Sequence, residues 1–408
     1  MYGLVLEGGG AKGAYQIGVW KALRELGIEI KGVVGTSVGA LNGAMIIQDD
    51  FDKAYELWSE ITPSKVIKID DELVDKFKNL DIKSEDIRYL LKHLKVFIGD
   101  KGIDISPLKE LLKVNINEDI IRQSNKDFGI VTISLTDMKP MELYIEDIPK
   151  GKLINYLIAS SSLPVFKREK LDGKFFLDGG FYNNLPANLL ISKGYKDLIM
   201  VRLNSMGRIP KVNEDGLNII NIKPIEDLGR VLDFSGNRAR RNIKLGYFDT
   251  LKVLQGLKGI KYYINLEQEK DYFKEHLLNL SEATVNKIGE ILGIHEKIPY
   301  RRKLFEHIIP RLIELLDIDK NSSYEDIIVS LYEIAAERYD IERFKVYTLE
   351  EFKDNILEKF IDTNTSNYRE IPSIFKQSDL IVKAFRKDIL NKIVDELLNS
   401  EKSWATNI

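Results

Sequence analysis

The sequence predicts an α/β protein, with a mostly parallel sheet covered by helices in its first part and an all-helical region after it. Three observations carry this. Short apolar runs such as Leu4-Val5-Leu6 and Val33-Val34 alternate with helical patterns through roughly the first 255 residues, the arrangement that builds a parallel sheet. Of 28 glycines only Gly289 and Gly293 fall after residue 260, where the chain reads as successive amphipathic helices. At 408 residues there is room for one large domain or two ordinary ones, with a core that needs no metal or disulfide staple. The expected organisation is an α/β domain over 1–255, a connector over 256–270, and a helical C-terminal region over 271–408 of unassigned role.

Taken in order, the first strand candidate, Leu4 to Leu6, breaks into Gly8-Gly9-Gly10-Ala11-Lys12-Gly13. Three consecutive glycines leave backbone N–H groups uncovered, so the loop suits an anion or a developing oxyanion. A helix follows from Ala14 to about Leu26, with Tyr15, Val19, Ala22, Leu23 and Leu26 on one apolar stripe and Gly27 as its stop. The next apolar run, Val33-Val34, leads into Gly35-Thr36-Ser37-Val38-Gly39 and then a small-residue helix candidate, Ala40 to Ile47. A serine on a sharp strand-to-helix turn holds its hydroxyl exposed, and the strain is tolerated only beside small neighbours. The helix beginning after Ser37 aims its unpaired N–H groups at that hydroxyl.

Two nucleotide readings of the glycine loop fail. The loop fits G-x-G-x-x-G, but the dinucleotide fingerprint needs an acidic residue at the end of the second strand, and Gly35-Thr36-Ser37 stands there. A Walker loop needs Lys followed by Ser or Thr after its last glycine, whereas Lys12 precedes Gly13. Lys12 reads as a solvated or carbonyl-capping lysine in preference to a phosphate ligand.

A serine nucleophile needs a base. The four histidines are His93, at the edge of an apolar stripe with Ile87, Leu90, Leu91 and Leu94, and His276, His295 and His307 in the helical region. The better candidate is Asp178, which ends the strand-like run Lys174 to Leu177 and is followed by Gly179-Gly180. By itself Asp-Gly is ordinary turn chemistry.

The three stretches Gly8 to Gly13, Gly35 to Gly39 and Asp178 to Gly180, in this order, resemble the patatin-like phospholipase family. The resemblance continues through Ala159-Ser160-Ser161-Ser162-Leu163-Pro164, Asn184-Leu185-Pro186 and Asp104-Ile105-Ser106-Pro107-Leu108, covering roughly residues 3 to 255. In the last of these, Ser106 reads independently as a helix N-cap with Pro107 at the first position. The resemblance implies a three-layer α/β/α domain in which Ser37 is the nucleophile, Asp178 alone is its base, and Gly8, Gly9 and Gly10 form the oxyanion hole. It implies a lipid acyl ester hydrolase of the phospholipase A or lysophospholipase type, working through an acyl-enzyme with no cofactor and no metal. Glu7 and Asn183 depart from the family's usual residues. The alternative is a catalytically silent lipid-binding or regulatory protein on the same fold.

Composition sets the partners. A net charge of −3 gives no reason to expect nucleic acid, and the absence of cysteine removes disulfides and thiolate sites together. The longest uncharged stretch, Gly32 to Gln48, is too short and too rich in glycine to span a membrane. The N-terminus runs into a strand without the basic start of a signal peptide. The resemblance implies a phospholipid or other acyl-lipid substrate; a cytoplasmic location with peripheral contact at a membrane is expected, and the oligomeric state is unassigned. Arg238, Arg240, Arg241 and Lys244, followed by Leu245, Tyr247, Phe248, Leu251 and Leu254, read as a sheet-packed helix with a solvated basic edge in preference to one lying on lipid. Tyr300 to Leu316 and Ser378 to Leu398 are further helix candidates that suit a lid, a dimer interface or a docking surface.

Overall fold

The computed structural model describes residues 1–68, 102–267, 271–295, 297–362 and 385–405. His93 and its helical pattern, and the start of the Ser378 to Leu398 candidate, lie outside the described residues. The chain divides into two compact units, Met1–Leu254 and Gln255–Ile408.

The first unit is built on one seven-stranded sheet whose linear part runs β4-β3-β2-β1-β6-β7. These are β1 (Tyr2–Leu6), β2 (Ile30–Thr36), β3 (Asp127–Ser134), β4 (Lys139–Tyr144), β6 (Asp197–Val201) and β7 (Asn218–Ile222). β1 is central, parallel to both β2 and β6, so the first strand of the chain is completed by one almost 200 residues away. The β2–β3 and β6–β7 pairs are parallel, and β4 adds an antiparallel edge. A short strand, β5 (Phe176–Asp178), pairs antiparallel with β3.

Alternation along these strands sends apolar side chains to two faces, as a sheet buried on both sides requires. Val5, Val34, Val131, Leu198 and Met200 pack in one cluster with Leu189 and Leu190 of the helix Ala187–Ser192. On the opposite face, a Cβ placed on Gly43 of helix α2 (Val38–Ile47) would sit 3.1 to 3.9 Å from Phe128, Val33 and Leu6. Helix α1 (Ala14–Glu25) ends where Gly27 takes φ +66°, and the basic stretch falls in the helix Gly236–Gln255. These two helices cross backbone on backbone: a Cβ on Gly18 would lie 1.9 Å from Ile243 O, and one on Gly246 would lie 2.0 Å from Tyr15 O. On the basic edge, Arg238 pairs with Asp233, Arg241 with Glu226, and Arg240 donates to Ser59 O. Those cations are spent on protein partners.

One capping detail differs from expectation. The helix Ser106–Asn115 has Ile105 at its N-cap, and the Ser106 N–H donates to Asp104 Oδ1 at 2.8 Å. The carboxylate, a charged acceptor, takes the capping role that Ser106 was expected to fill.

The second unit is helical with its own core, from Tyr262 through Phe352 to Leu398. It also holds a two-stranded parallel ladder between β8 (Tyr263–Asn265) and β9 (Val346–Thr348), so the 256–270 stretch carries a strand as well as a connection. The Tyr300 to Leu316 stretch is helical but passes through a π-helical segment, Lys303–Ile308, just before Pro310, whose ring and missing N–H disrupt the α-helical ladder at that point.

Candidate active site

The register of β3 brings the candidate serine and acid together. β2 accompanies one edge of β3 as far as the pair Thr36–Val131, and β4 occupies the other edge. β5 takes over the edge that β2 leaves, starting from the pair Asp178–Thr132. Thr36 and Asp178 thus lie opposite consecutive residues of one strand, and Ser37 is the residue after Thr36.

Ser37 sits at φ 54°, ψ −125°, conformational space that residues with a Cβ rarely adopt and that persists only where the surroundings dictate it. Those surroundings are tight. A Cβ on Gly35 would lie 2.3 Å from Gly39 backbone atoms, and one on Gly39 would lie 2.4 Å from Leu6 O, so both glycines are required by the closeness of strand, turn and helix. Ser160 ties the turn down: its Oγ accepts the Ser37 N–H at 2.9 Å and its hydroxyl donates to Val131 O at 2.7 Å. Thr36 Oγ1 donates to Asn183 O at 2.7 Å, joining the turn to the segment after Asp178.

Asp178 is 3% exposed. Its Oδ1 accepts from the Gly180 N–H at 2.8 Å, while Oδ2 is buried with no hydrogen-bond partner among the described residues. Burial pushes the carboxyl up from the ordinary value of 3.8 to about 6, against the opposing pull of the Ser37 hydroxyl and the Gly180 amide. The Ser37 hydroxyl is thus close enough to act on Asp178 electrostatically, yet no bond of full hydrogen-bonding geometry joins them. Such contacts commonly tighten only when substrate is bound.

The glycine loop divides its amides. The Gly8 N–H, expected among the oxyanion donors, donates to Asn184 O at 3.1 Å and is already used. Its glycine is needed for space, since a Cβ there would lie 2.4 Å from Asn184 Oδ1 and 3.2 Å from Ser37 Cβ. The Gly9 and Gly10 N–H groups have no protein acceptor among the described residues, and Gly10 takes φ +56°. Asn184 Nδ2 reaches Gly8 O and Met206 O, and the fully buried Glu7 accepts from Leu203 N, Ser205 N and Arg202 Nε. Lys12 donates to Asn204 O at 3.1 Å; burial lowers its pKa, opposed by the nearby Asp227 and Glu7 charges. It thus caps a carbonyl, but a distant one and from a buried position, where the sequence suggested a solvated side chain or a local carbonyl.

Ser37 and Gly10 stand at the wall of an apolar cleft of about 880 Å³, open mouth included, lined mainly by residues such as Leu41, Met45, Leu57, Leu112 and Phe166. Two of its polar lining groups, Asn42 and Ser161, are spent on protein partners: Asn42 bonds Gly13, Gln16 and Trp58, and Ser161 Oγ bonds Leu157 O. Among the described residues the first unit contains no histidine, and His276, His295 and His307 belong to the second. His276 faces Glu401, and burial lowers its pKa to about 4.

Sequence reasoning did not find Ser160, Glu7 and Asn184 as supports of the site. The Ser160-Ser161-Ser162 run carries part of the family resemblance, but only the fold shows that Ser160 bridges β3 and the serine turn.

A family model described as "Patatin-like phospholipase" matches residues 4–191. The Caenorhabditis elegans patatin-like phospholipase domain-containing protein ZK370.4 is 28% identical over 287 residues, which is 67% of this chain and 19% of that protein. The Drosophila melanogaster neuropathy target esterase sws is 32% identical over 208 residues, 50% of this chain and 13% of that protein. Lysophospholipase nte1 of Aspergillus terreus is 60% identical over a 47-residue stretch, 12% of this chain and 3% of that protein. The chain thus spans about a fifth or less of the length of these curated relatives. Among solved structures, VipD of Legionella pneumophila aligns over 97% of this chain and 91% of its own, with 14% identity and a TM-score of 0.39. Residues 4–191 of this chain thus carry a patatin-like phospholipase domain.

Proposed function

We propose that the first unit hydrolyses acyl esters of lipids, of the phospholipase A or lysophospholipase type, with Ser37 as nucleophile and Asp178 as its only base. The observation that carries the reading is Asp178 itself, a buried carboxyl with one oxygen unengaged, placed beside a strained serine at the wall of an apolar cleft. An aspartate at its ordinary value is a feeble base for a hydroxyl. Desolvation moves Asp178 toward the pH at which it works, and an acyl chain filling the cleft excludes water further.

The reaction follows in two steps. Asp178 Oδ2 takes the Ser37 proton as Oγ attacks the ester carbonyl, and the Gly9 and Gly10 amides receive the oxyanion. Collapse of that intermediate expels the alcohol, which recovers the proton from Asp178 and leaves Ser37 acylated. Water, deprotonated by Asp178, then attacks the acyl-enzyme, and the fatty acid departs as Ser37 regains its proton. The acyl chain occupies the cleft, and no cofactor or metal is required by any step. The family-model match over residues 4–191 and the names of the relatives support a lipid ester as substrate.

The test is hydrolysis of a chromogenic ester and of a lysophospholipid by purified protein with EDTA present. Ser37→Ala and Asp178→Asn are each expected to lose activity while remaining folded by circular dichroism. Activity near the wild-type level in either variant would remove that residue from the mechanism. A folded wild-type protein that binds lipid and turns over neither ester would instead support the silent, lipid-binding alternative.

A further inference from the structure

Side chains outside the serine–aspartate pair connect the wall of the cleft to the glycine loop. Trp58, on helix α3 (Phe51–Ser59), lines the cleft and donates its indole N–H to Asn42 Oδ1 at 2.9 Å. Asn42, 2% exposed on α2, donates from Nδ2 to Gly13 O at 3.0 Å and to Gln16 Oε1 at 2.8 Å. Gln16, buried on α1, donates onward to Glu7 O at 2.7 Å. That carbonyl belongs to the peptide whose N–H is Gly8, already fixed on its other side by Asn184. Glu7 and Gly13 bracket the segment that carries Gly9 and Gly10, so both ends of the segment are held by bonds that converge on Asn42.

The arrangement is more than a wall. Asn42 uses both amide hydrogens and its carbonyl oxygen, and burying such a group is tolerable only because every valence is satisfied. The Trp58 ring also meets the loop directly: a Cβ on Gly13 would lie 3.0 Å from its Cζ2. This tryptophan therefore lines the cleft while its N–H meets Asn42 and its ring edge approaches Gly13.

We propose that Trp58 and Asn42 are positioning residues that couple filling of the cleft to alignment of the Gly9 and Gly10 amides, so that acyl chain length is read in turnover as well as in binding. This rests on the lipid ester hydrolase reading. A chain packed against the Trp58 ring holds it in one rotamer, which holds Asn42, and through Asn42 both ends of the loop. A chain too short to reach the ring leaves the first link free. Misplacing a donor by about 1 Å costs on the order of 10²-fold in rate, so partial loosening is expected to cost about tenfold.

The experiment compares p-nitrophenyl palmitate with p-nitrophenyl butyrate, using the full chain and Trp58→Phe, which keeps an apolar ring and deletes the N–H. The expected result is a fall of about tenfold in kcat for the palmitate, with KM within about threefold and butyrate kcat within about twofold, so that the long-chain preference is lost. Gln16→Met breaks the relay on the loop side and is expected to lower kcat for both esters alike without moving KM. It also keeps the proposal testable should Trp58→Phe fold poorly. Equal loss on both esters in Trp58→Phe, or a change confined to KM, would overturn the coupling and leave Trp58 as scaffold or wall. So would wild-type kcat values for both esters in Gln16→Met. Ser37→Ala is run alongside: hydrolysis surviving there would remove the underlying reading and the coupling with it, whereas its loss there together with an unchanged Trp58→Phe would overturn the coupling alone.

Discussion

Replacing Asp178 by Asn is expected to inactivate the protein and to stabilise it at alkaline pH. The native carboxyl has its pKa raised from 3.8 to about 6 by burial. In the unfolded chain it returns to the ordinary value, so between these limits the folded state binds more protons, and stability falls as pH rises from about 4 to about 6. At about 1.4 kcal/mol for each tenfold change in proton affinity, ionised Asp178 costs the fold about 3 kcal/mol above that window. Below the window the cost disappears. Asn is nearly isosteric, keeps an oxygen to accept the Gly180 N–H, and carries no charge to desolvate. The assay is urea unfolding of wild type and Asp178→Asn at pH 8 and pH 5, following the transition of the first unit. At pH 8 the variant should exceed wild type by about 3 kcal/mol, and at pH 5 by roughly half of that, because wild type is then largely protonated when folded and ionised when unfolded. An advantage that does not change with pH, or a variant less stable at both, would mean that Asp178 is not held as a desolvated carboxyl, and the argument for a tuned base would fall.

Four further outcomes follow from the geometry. The acid limb of kcat/KM in wild type should bend near pH 6, with activity rising above it as Asp178 ionises; a profile flat down to pH 4.5 would contradict this. Ser37→Gly should abolish turnover and raise stability by about 1 kcal/mol, since glycine adopts the φ 54° turn without strain, as read from melting curves. Ser160→Ala leaves the Ser37 N–H buried without its acceptor, so a loss of about 1–3 kcal/mol in stability and at least tenfold in kcat is expected, checked by denaturation and ester kinetics. Single replacement of His93, His276, His295 or His307 by Gln should leave esterase activity within a few-fold of wild type; a folded histidine variant without activity would show that the base is not Asp178 alone.

How much of this was legible depends on the range of the interaction. The strand, glycine loop, helix and serine turn over residues 2–47 are local structures, with start and stop signals inside the stretch, and they read directly from residue pattern. Asp178 is different. Locally it is an Asp-Gly turn, and what gives it meaning is the handover of one β3 edge from β2 to β5, a pairing of distant segments that no periodicity reveals. The same holds for Val346–Thr348, three residues that become a strand only because Tyr263–Asn265 lies beside them. Gly18 and Gly246, each a cost in an isolated helix, are places where another backbone needs the room. The commitment of the Gly8 amide to Asn184 was hidden because three successive glycines look alike until their partners are known.

The crossing of the first helix with Gly236–Gln255 also bears on the order of events during synthesis. Ser37 and the glycine loop leave the ribosome early, but the Gly8 amide bonds Asn184 O, the Ala11 N–H bonds Val231 O, and Gly18 packs against Ile243 and Tyr247. The sheet likewise lacks a neighbour on one side of its central strand until Asp197–Val201 has been made. At about 5–20 residues per second, roughly 10–40 s separates the making of Ser37 from that of Val231. Through that interval the nascent chain carries a serine turn without its finished loop or its closing helix. The assembled serine turn is therefore a property of the finished first unit and not of the nascent segment that carries Ser37.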